Sequence, residues 1–255
     1  MKDLLTRSGI TRTLLAASAM IGLSACGDGD GSLLGGKVQT GQIVGGGTVQ
    51  MTQVQPVGGF LPEPGLLQPG GNGRAALYYV NPKVDLKRYG KIILDPVEIW
   101  TAPGSDLAKV PVNQRQAAAN TFYYKLFNAM KERCVMTRSP GAGVLRFRFA
   151  LVDAKLPNAT VNTVATYAPY ASTAYGVASY ALNGGVGYFA GTATAEGFAK
   201  DSRTGQVIWQ AVDKRGGTTS LAENTLDTWL DVHHAFDAWA KLITQRLVSA
   251  GICTK

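Results

Sequence analysis

The sequence predicts one α+β domain: a two-layer sandwich in which a roughly four-stranded, mostly antiparallel sheet is packed by two long helices and one short helix. Three observations carry that prediction. Val144 to Asp153 alternates strictly, with Leu145, Phe147, Phe149 and Leu151 on one side and Arg146, Arg148, Ala150 and Val152 on the other. That is the period of a half-buried strand. Apolar residues recur at helical spacing in two stretches, Val112 to Met130 and Leu226 to Leu247. Thr192 to Lys200 and Gln206 to Asp213 flank Ser202-Arg203-Thr204-Gly205, a hairpin whose glycine is free to take positive φ.

Taken in order, the chain opens on a short basic region, Lys2, Arg7 and Arg12, and then Leu14 to Leu23, ten residues with only small or apolar side chains. This is the pattern of a signal-peptide core, and it falls short of the roughly 20 apolar residues that a spanning helix needs. Leu23-Ser24-Ala25-Cys26 follows. The run resembles the lipobox of bacterial lipoproteins; a plain signal peptide with a chance cysteine is the alternative. The resemblance implies cleavage before Cys26, acylation of that cysteine (palmitate is the expected chain), and attachment to a membrane without crossing it. Gly27, where an aspartate would favour the inner membrane, implies the inner leaflet of the outer membrane, facing the periplasm.

Residues 1–25 are therefore expected as a signal peptide, 26–73 as the lipidated cysteine with a flexible tether, and 74–255 as the single folded domain. The tether assignment rests on composition: residues 27–73 hold fifteen of the 31 glycines, four prolines and four charges, with no apolar periodicity. Gly45-Gly46-Gly47 is no phosphate loop, since neither Lys-Ser nor Lys-Thr follows. Leu33, Leu34, Val54 and Phe60 are candidates for local docking on a partner.

Within the domain, Lys91 to Trp100 reads as the first strand, at an edge or bulged at Pro96, which cannot donate to a ladder. Pro111 suits a first helical turn, and Val112, Ala119, Phe122, Leu126 and Met130 form the stripe of a helix running to about Arg133, widened by Tyr123 and Phe127. Residues 156–195 contain no charge and five of the ten tyrosines, Tyr167, Tyr170, Tyr175, Tyr180 and Tyr188; Pro169 to Leu182 reads as the short helix. In the hairpin, Ala193, Ala195, Gly197 and Ala199 make a flat face that lets a helix approach closely. Asn224 or Thr225 is expected to cap the last helix, whose stripe is Leu226, Trp229, Leu230, His233, Phe236, Ala240, Ile243 and Leu247, with Gly251 as its stop.

A chain starting at Cys26 carries 22 basic and 16 acidic residues, a balance suited to anionic lipid headgroups or wall polymer; nucleic acid is discounted for an exported protein. Apart from Cys26 the cysteines are an even pair, Cys134 and Cys253, in a compartment that permits disulfides. They are expected to pair; two unrelated buried thiols are the alternative.

Chemistry is sparse. Adjacent His233 and His234 point about 100° apart on a helix, and His233 with Asp237 supplies two ligands where a metal site needs more, so neither a metal nor any other cofactor is expected. Asp95, Asp153, Asp201 and Asp213 sit at strand ends, where aspartate caps local amides; a hydrolase built on them is the minor alternative. Ser202 lacks the G-x-S-x-G context of a nucleophile. Glu196 and Lys200 share a face and are expected to pair. Arg146 and Arg148 are candidates for binding anionic groups. Tyr167, Tyr170, Tyr175 and Tyr180 are candidates for a partner surface, because tyrosine offers area and a hydroxyl at low entropy cost.

Four passages carry a wider resemblance: Tyr89 to Glu98, Gly143 to Asp153, Glu196 with Asp201 to Val207, and Val212 to Arg215. In this order behind a lipobox they resemble the bacterial lipoproteins grouped as domain of unknown function 3313, over about residues 76–250. The element order is also similar to that of envelope lipoprotein domains related to the curli secretion lipoprotein and the TolB N-terminal domain. The resemblance implies a small periplasm-facing lipoprotein domain of uncharacterised activity. The expected function is a non-enzymatic binding or assembly module that engages an envelope protein or itself. The alternative is a self-assembling export or pore component with residues 156–195 as its membrane or oligomer segment.

Overall fold

The computed structural model describes residues 48–71, 73–157, 191–217 and 229–254. The strands are β1 (Thr48–Met51), β2 (Gln68–Pro69), β3 (Leu77–Val80), β4 (Lys91–Leu94), β5 (Glu98–Ile99), β6 (Val135–Met136), β7 (Val144–Lys155), β8 (Thr192–Asp201) and β9 (Val207–Gly217). The long helices are α1 (Val112–Lys131) and α2 (Leu230–Ser249). All nine strands lie in one sheet of order β2-β3-β9-β8-β7-β4-β6, with β1 also beside β9 and β5 also beside β7.

The expected four-stranded, mostly antiparallel sheet is thus corrected to a nine-stranded mixed one. The α+β class and the two long helices hold, and the β7–β8–β9 meander is antiparallel as the alternation implies. The added strands have physical causes. Lys91 to Trp100 is not one strand: Pro96 divides it into β4 and β5, and both pair with β7 in parallel. Parallel pairing requires a crossover, and α1 supplies it. Short β1, β2 and β3 extend the β9 edge. Two- and four-residue strands carry too little alternation to be read from sequence.

Both helices pack on one face of the meander. Phe122 stacks on Phe236 at 4.7 Å and tilts against Trp239 at 5.3 Å and Phe149 at 6.0 Å. Burying aromatics of this size supplies much of the core's apolar area. The α1 stripe is buried at Ala118, Ala119, Phe122, Leu126 and Met130, whereas Val112 is exposed. In α2 the buried face includes Val232, Ala235, Trp239 and Thr244 beside Phe236, Ala240 and Leu247, so it is rotated from the expected stripe. Asp231 is buried too, and accepts from the Gly191 amide at 2.6 Å. The flat face on β8 admits rings as well as helices: a Cβ at Gly197 would lie 2.5 Å from the Phe149 ring, so only glycine fits there. The caps proposed for the last helix and the short helix at 169–182 fall outside the described residues.

The opposite face is covered by a segment assigned above to the tether. Phe60 and Leu61 are buried, and they pack on Ala150, Val152, Phe198 and Val212, flanked by Val54, Val57, Leu67 and Leu77. Paired hydrogen bonds between Gln210 and the Glu63 backbone fix the segment, as does one from Trp100 Nε1 to the Gly58 carbonyl at 3.2 Å. Glycine-rich composition concealed it, because its few apolar residues follow no regular period.

A disulfide joins Cys134, just past α1, to Cys253, just past α2, across 119 residues of sequence. The Thr254 amide also donates to the Arg133 carbonyl at 3.0 Å. Opening a loop this long removes about 4–5 kcal/mol in the chain-entropy account. Cys134→Ser with Cys253→Ser is expected to lower the unfolding free energy by that order, read from urea unfolding, with a steeper slope because the uncrosslinked unfolded chain exposes more surface.

Candidate functional site

A cavity of about 720 Å³ opens between the C-terminal half of α2 and the β3–β9 side of the sheet. Phe147, Phe149 and Trp209 line it from the strands, and Leu242, Ile243 and Leu247 line it from α2. It exists because Ala199 and Ala211, on neighbouring strands, leave room that larger residues would fill. Two of its lining residues, Arg74 and Arg246, are exposed and so stand at its opening. Arg246 Nε donates to the Gly73 carbonyl at 2.9 Å. Arg74 lies over the Tyr78 ring, 4.4 Å from its centroid, and donates to the Tyr78 hydroxyl. Neither guanidinium forms an ion pair among the described residues.

A second, polar depression lies on the opposite face, lined by Asp95, Glu98, Arg146, Arg148 and Lys200 among others. Arg146 and Lys200 face each other directly across β7 and β8, an unfavourable like-charge pair unless neutralised. Arg146 Nε meets Asp95 at 2.7 Å, and Arg148 meets Glu98 through two nitrogens. Both arginines are therefore already engaged by carboxylates from β5 and the turn before it. Lys200 does not pair with Glu196: four residues along a strand separate them by about 13 Å. Instead Lys200 sits 5.2 Å from the Phe198 ring centroid, while Glu196 accepts from the Val57 amide.

Asp95 follows β4 and Asp201 closes β8, whereas Asp153 and Asp213 lie inside β7 and β9 rather than at strand ends; all four are occupied. Asp95 holds Arg146. Asp153 accepts from the Ser105 hydroxyl at 2.7 Å and the Leu107 amide at 3.4 Å. Asp201 takes the Tyr89 hydroxyl and Arg88, each at 2.9 Å, and the Arg203 and Thr204 amides at 3.0 and 2.9 Å. Its own carbonyl accepts from Gly205, whose φ is +74°. Ser202 exchanges hydrogen bonds with the backbone of Gly141. The Asp201 to Gly205 motif is thus a turn that locks three loops together. Asp213 accepts from Gln50, the Ala76 amide, Arg215 and Trp239 Nε1.

Among the other residues singled out from the sequence, Asp237 pairs with Lys125, and no group of three metal-ligating side chains occurs among the described residues. His233 contacts the Phe236 ring, 6.0 Å between centroids. Cys26, Tyr167, Tyr170, Tyr175, Tyr180 and Tyr188 lie outside the described residues. The apolar cavity and its two arginines escaped the sequence reading; Ala199 and Ala211 opposite Leu242 and Ile243 are the small-against-large pattern that could have signalled it.

Glu196 is almost wholly buried, and its Oε2 has no hydrogen-bond partner among the described residues. Burial pushes its carboxyl up to about 7, against the opposing Val57 hydrogen bond. Asp201 behaves oppositely: burial resists its charge, but the Thr204 amide, Tyr89, Arg88 and Arg203 amide together hold it well below the usual carboxylate range. The signs follow from linkage. Stability from Asp201 is present above the ordinary carboxylate pKa and lost as the medium turns more acid. For Glu196 the unfolded chain ionises first, so stability falls from its ordinary value of 4.5 up to about pH 7 and is level above. Denaturant unfolding across pH is expected to show greatest stability near pH 4–5. Glu196→Gln should flatten the decline, gaining on the order of 2–3 kcal/mol at pH 8.

No curated protein matches the chain. Among solved structures it is similar to a dodecamer of a PelC variant from Paraburkholderia phytofirmans, at 12% identity and TM-score 0.35, covering 70% of this chain and 96% of that one. A second PelC dodecamer from the same organism gives 11% identity and TM-score 0.33, covering 66% and 93%. A DUF4136 family protein from Bacteroides thetaiotaomicron gives 11% identity and TM-score 0.32, covering 70% and 96%. The family described as protein of unknown function (DUF3313) matches residues 58–243, from the segment that covers the sheet to the middle of α2. The chain belongs to that family.

Proposed function

We propose that this is a lipid-anchored envelope domain that works by association rather than catalysis. The observation that carries the reading is the occupancy of the four sheet aspartates. Asp95, Asp153, Asp201 and Asp213 each hold structural donors, and a general acid or base needs a free position facing substrate. Cys26 would carry the lipid and place the domain on the inner leaflet of the outer membrane, facing the periplasm. No described helix is long and apolar enough to cross a membrane.

Association with further copies of the same chain is the form we favour, over a separate envelope protein. α1 presents an aromatic ladder on its outer flank: Tyr123 packs on Phe127 at 6.0 Å and edge-on to Tyr124 at 5.6 Å, and Lys131 lies over Phe127. Tyr124 is 60% exposed, and Val135 on edge strand β6 is 59% exposed. Exposed aromatic and aliphatic area of this kind suits the centre of a protein interface.

Sedimentation velocity of the full mature chain in detergent is expected to give a mass several times the monomer. Tyr124→Glu should shift it to monomer without moving the thermal midpoint. A wild-type chain that stays monomeric at high micromolar concentration overturns self-association, and leaves crosslinking in intact cells to test an envelope partner.

A further inference from the structure

We propose that the cavity between α2 and the β3–β9 side of the sheet binds one fatty acyl chain, its carboxylate held by Arg74 and Arg246. The volume of about 720 Å³ lies inside the roughly 300–1,000 Å³ of small-molecule sites. The lining is aromatic and aliphatic from both layers, with Phe147, Phe149 and Trp209 facing Ile243 and Leu247. Such a surface recognises methylenes.

Charge decides the head group. Arg74 and Arg246 are the cations on the lining, and both are exposed. The carboxylates on the lining are Glu196 and Asp213, and neither offsets them. Glu196 is held by Val57 on the covered face, and Asp213 is buried and already accepts four donors. The opening is therefore positive over an apolar interior, the complement of an anionic amphiphile. Arg246 gives Nε and one terminal nitrogen to the Gly73 carbonyl, and Arg74 gives one terminal nitrogen to Tyr78. The remaining N–H groups suit a planar, two-oxygen carboxylate. Arg146 and Arg148, the anion-binding candidates in the sequence, are neutralised by Asp95 and Glu98.

The test is calorimetric titration of the full mature chain with decanoate and dodecanoate below their micelle concentrations, with decanol and dodecanol as neutral controls. One saturable site is expected, with dodecanoate about tenfold tighter than decanoate and tighter than dodecanol. Arg74→Gln with Arg246→Gln should weaken dodecanoate roughly tenfold and leave dodecanol unchanged. Arg74→Gln alone, which spares the Gly73 bond, should show part of that loss. Ala211→Phe should abolish binding of both. Absence of saturable binding, equal affinity for acid and alcohol, tighter binding of dodecyl phosphate than of dodecanoate, or wild-type affinity in both arginine variants overturns the proposal. A monomer that binds dodecanoate overturns self-association and keeps this site; an oligomer that does not bind does the reverse.

Discussion

The carboxylate of Asp213 is the joint on which the rest of the fold depends. It is 5% exposed, and a buried charge is costly unless it is fully hydrogen-bonded. Here each oxygen takes two donors. One oxygen binds Gln50 of β1 and the Ala76 amide leading into β3, and the other binds Arg215 of β9 and Trp239 of α2. Three segments distant in sequence are thus tied to β9 through one acceptor. Removing it would leave the Trp239 and Ala76 N–H groups buried without a partner, the more expensive half of a broken hydrogen bond. The helix layer, the meander and the strands before it are held in register at this point.

From that joint the outer face of the meander divides into two zones. Toward the Asp213 end, Ala150, Val152 and Val212 are buried beneath Phe60 and Leu61. Toward the hairpin turn, Arg146, Arg148 and Lys200 are left to solvent and to the acids of β5 and its preceding turn. Phe198 marks the boundary, touching the Phe60 ring at 5.3 Å on one side and the cations on the other. Side-chain type along β7 follows this border: arginines where the sheet is open, alanine and valine where it is covered.

Much of this was legible. Strict alternation announced β7, the Asp201 to Gly205 turn announced the hairpin, and helical stripes announced α1 and most of α2. The short edge strands were not legible, because a strand of two residues exists only through its neighbour's hydrogen bonds. Trp239 was missed because it lies off the stripe read for α2; its position makes sense only once Asp213 is seen to need a donor. The covering segment hid behind glycines that signal a linker in composition but here carry Phe60 and Leu61 onto a sheet. The cavity was the hardest, since it is formed by what Ala199 and Ala211 lack.

The covering segment also sets how the domain would bear load. With Cys26 as anchor, the chain enters the sheet at Thr48, not near Arg74. Twenty-two residues of sequence would then separate the anchor from β1, fewer than half of those in a 26–73 tether. A pull on the lipid would meet β1 first, and β1 is paired with β9 over only four residues. Gln50 would carry that tension directly into the carboxylate shared with α2, which would put the anchor and the core mechanically in series.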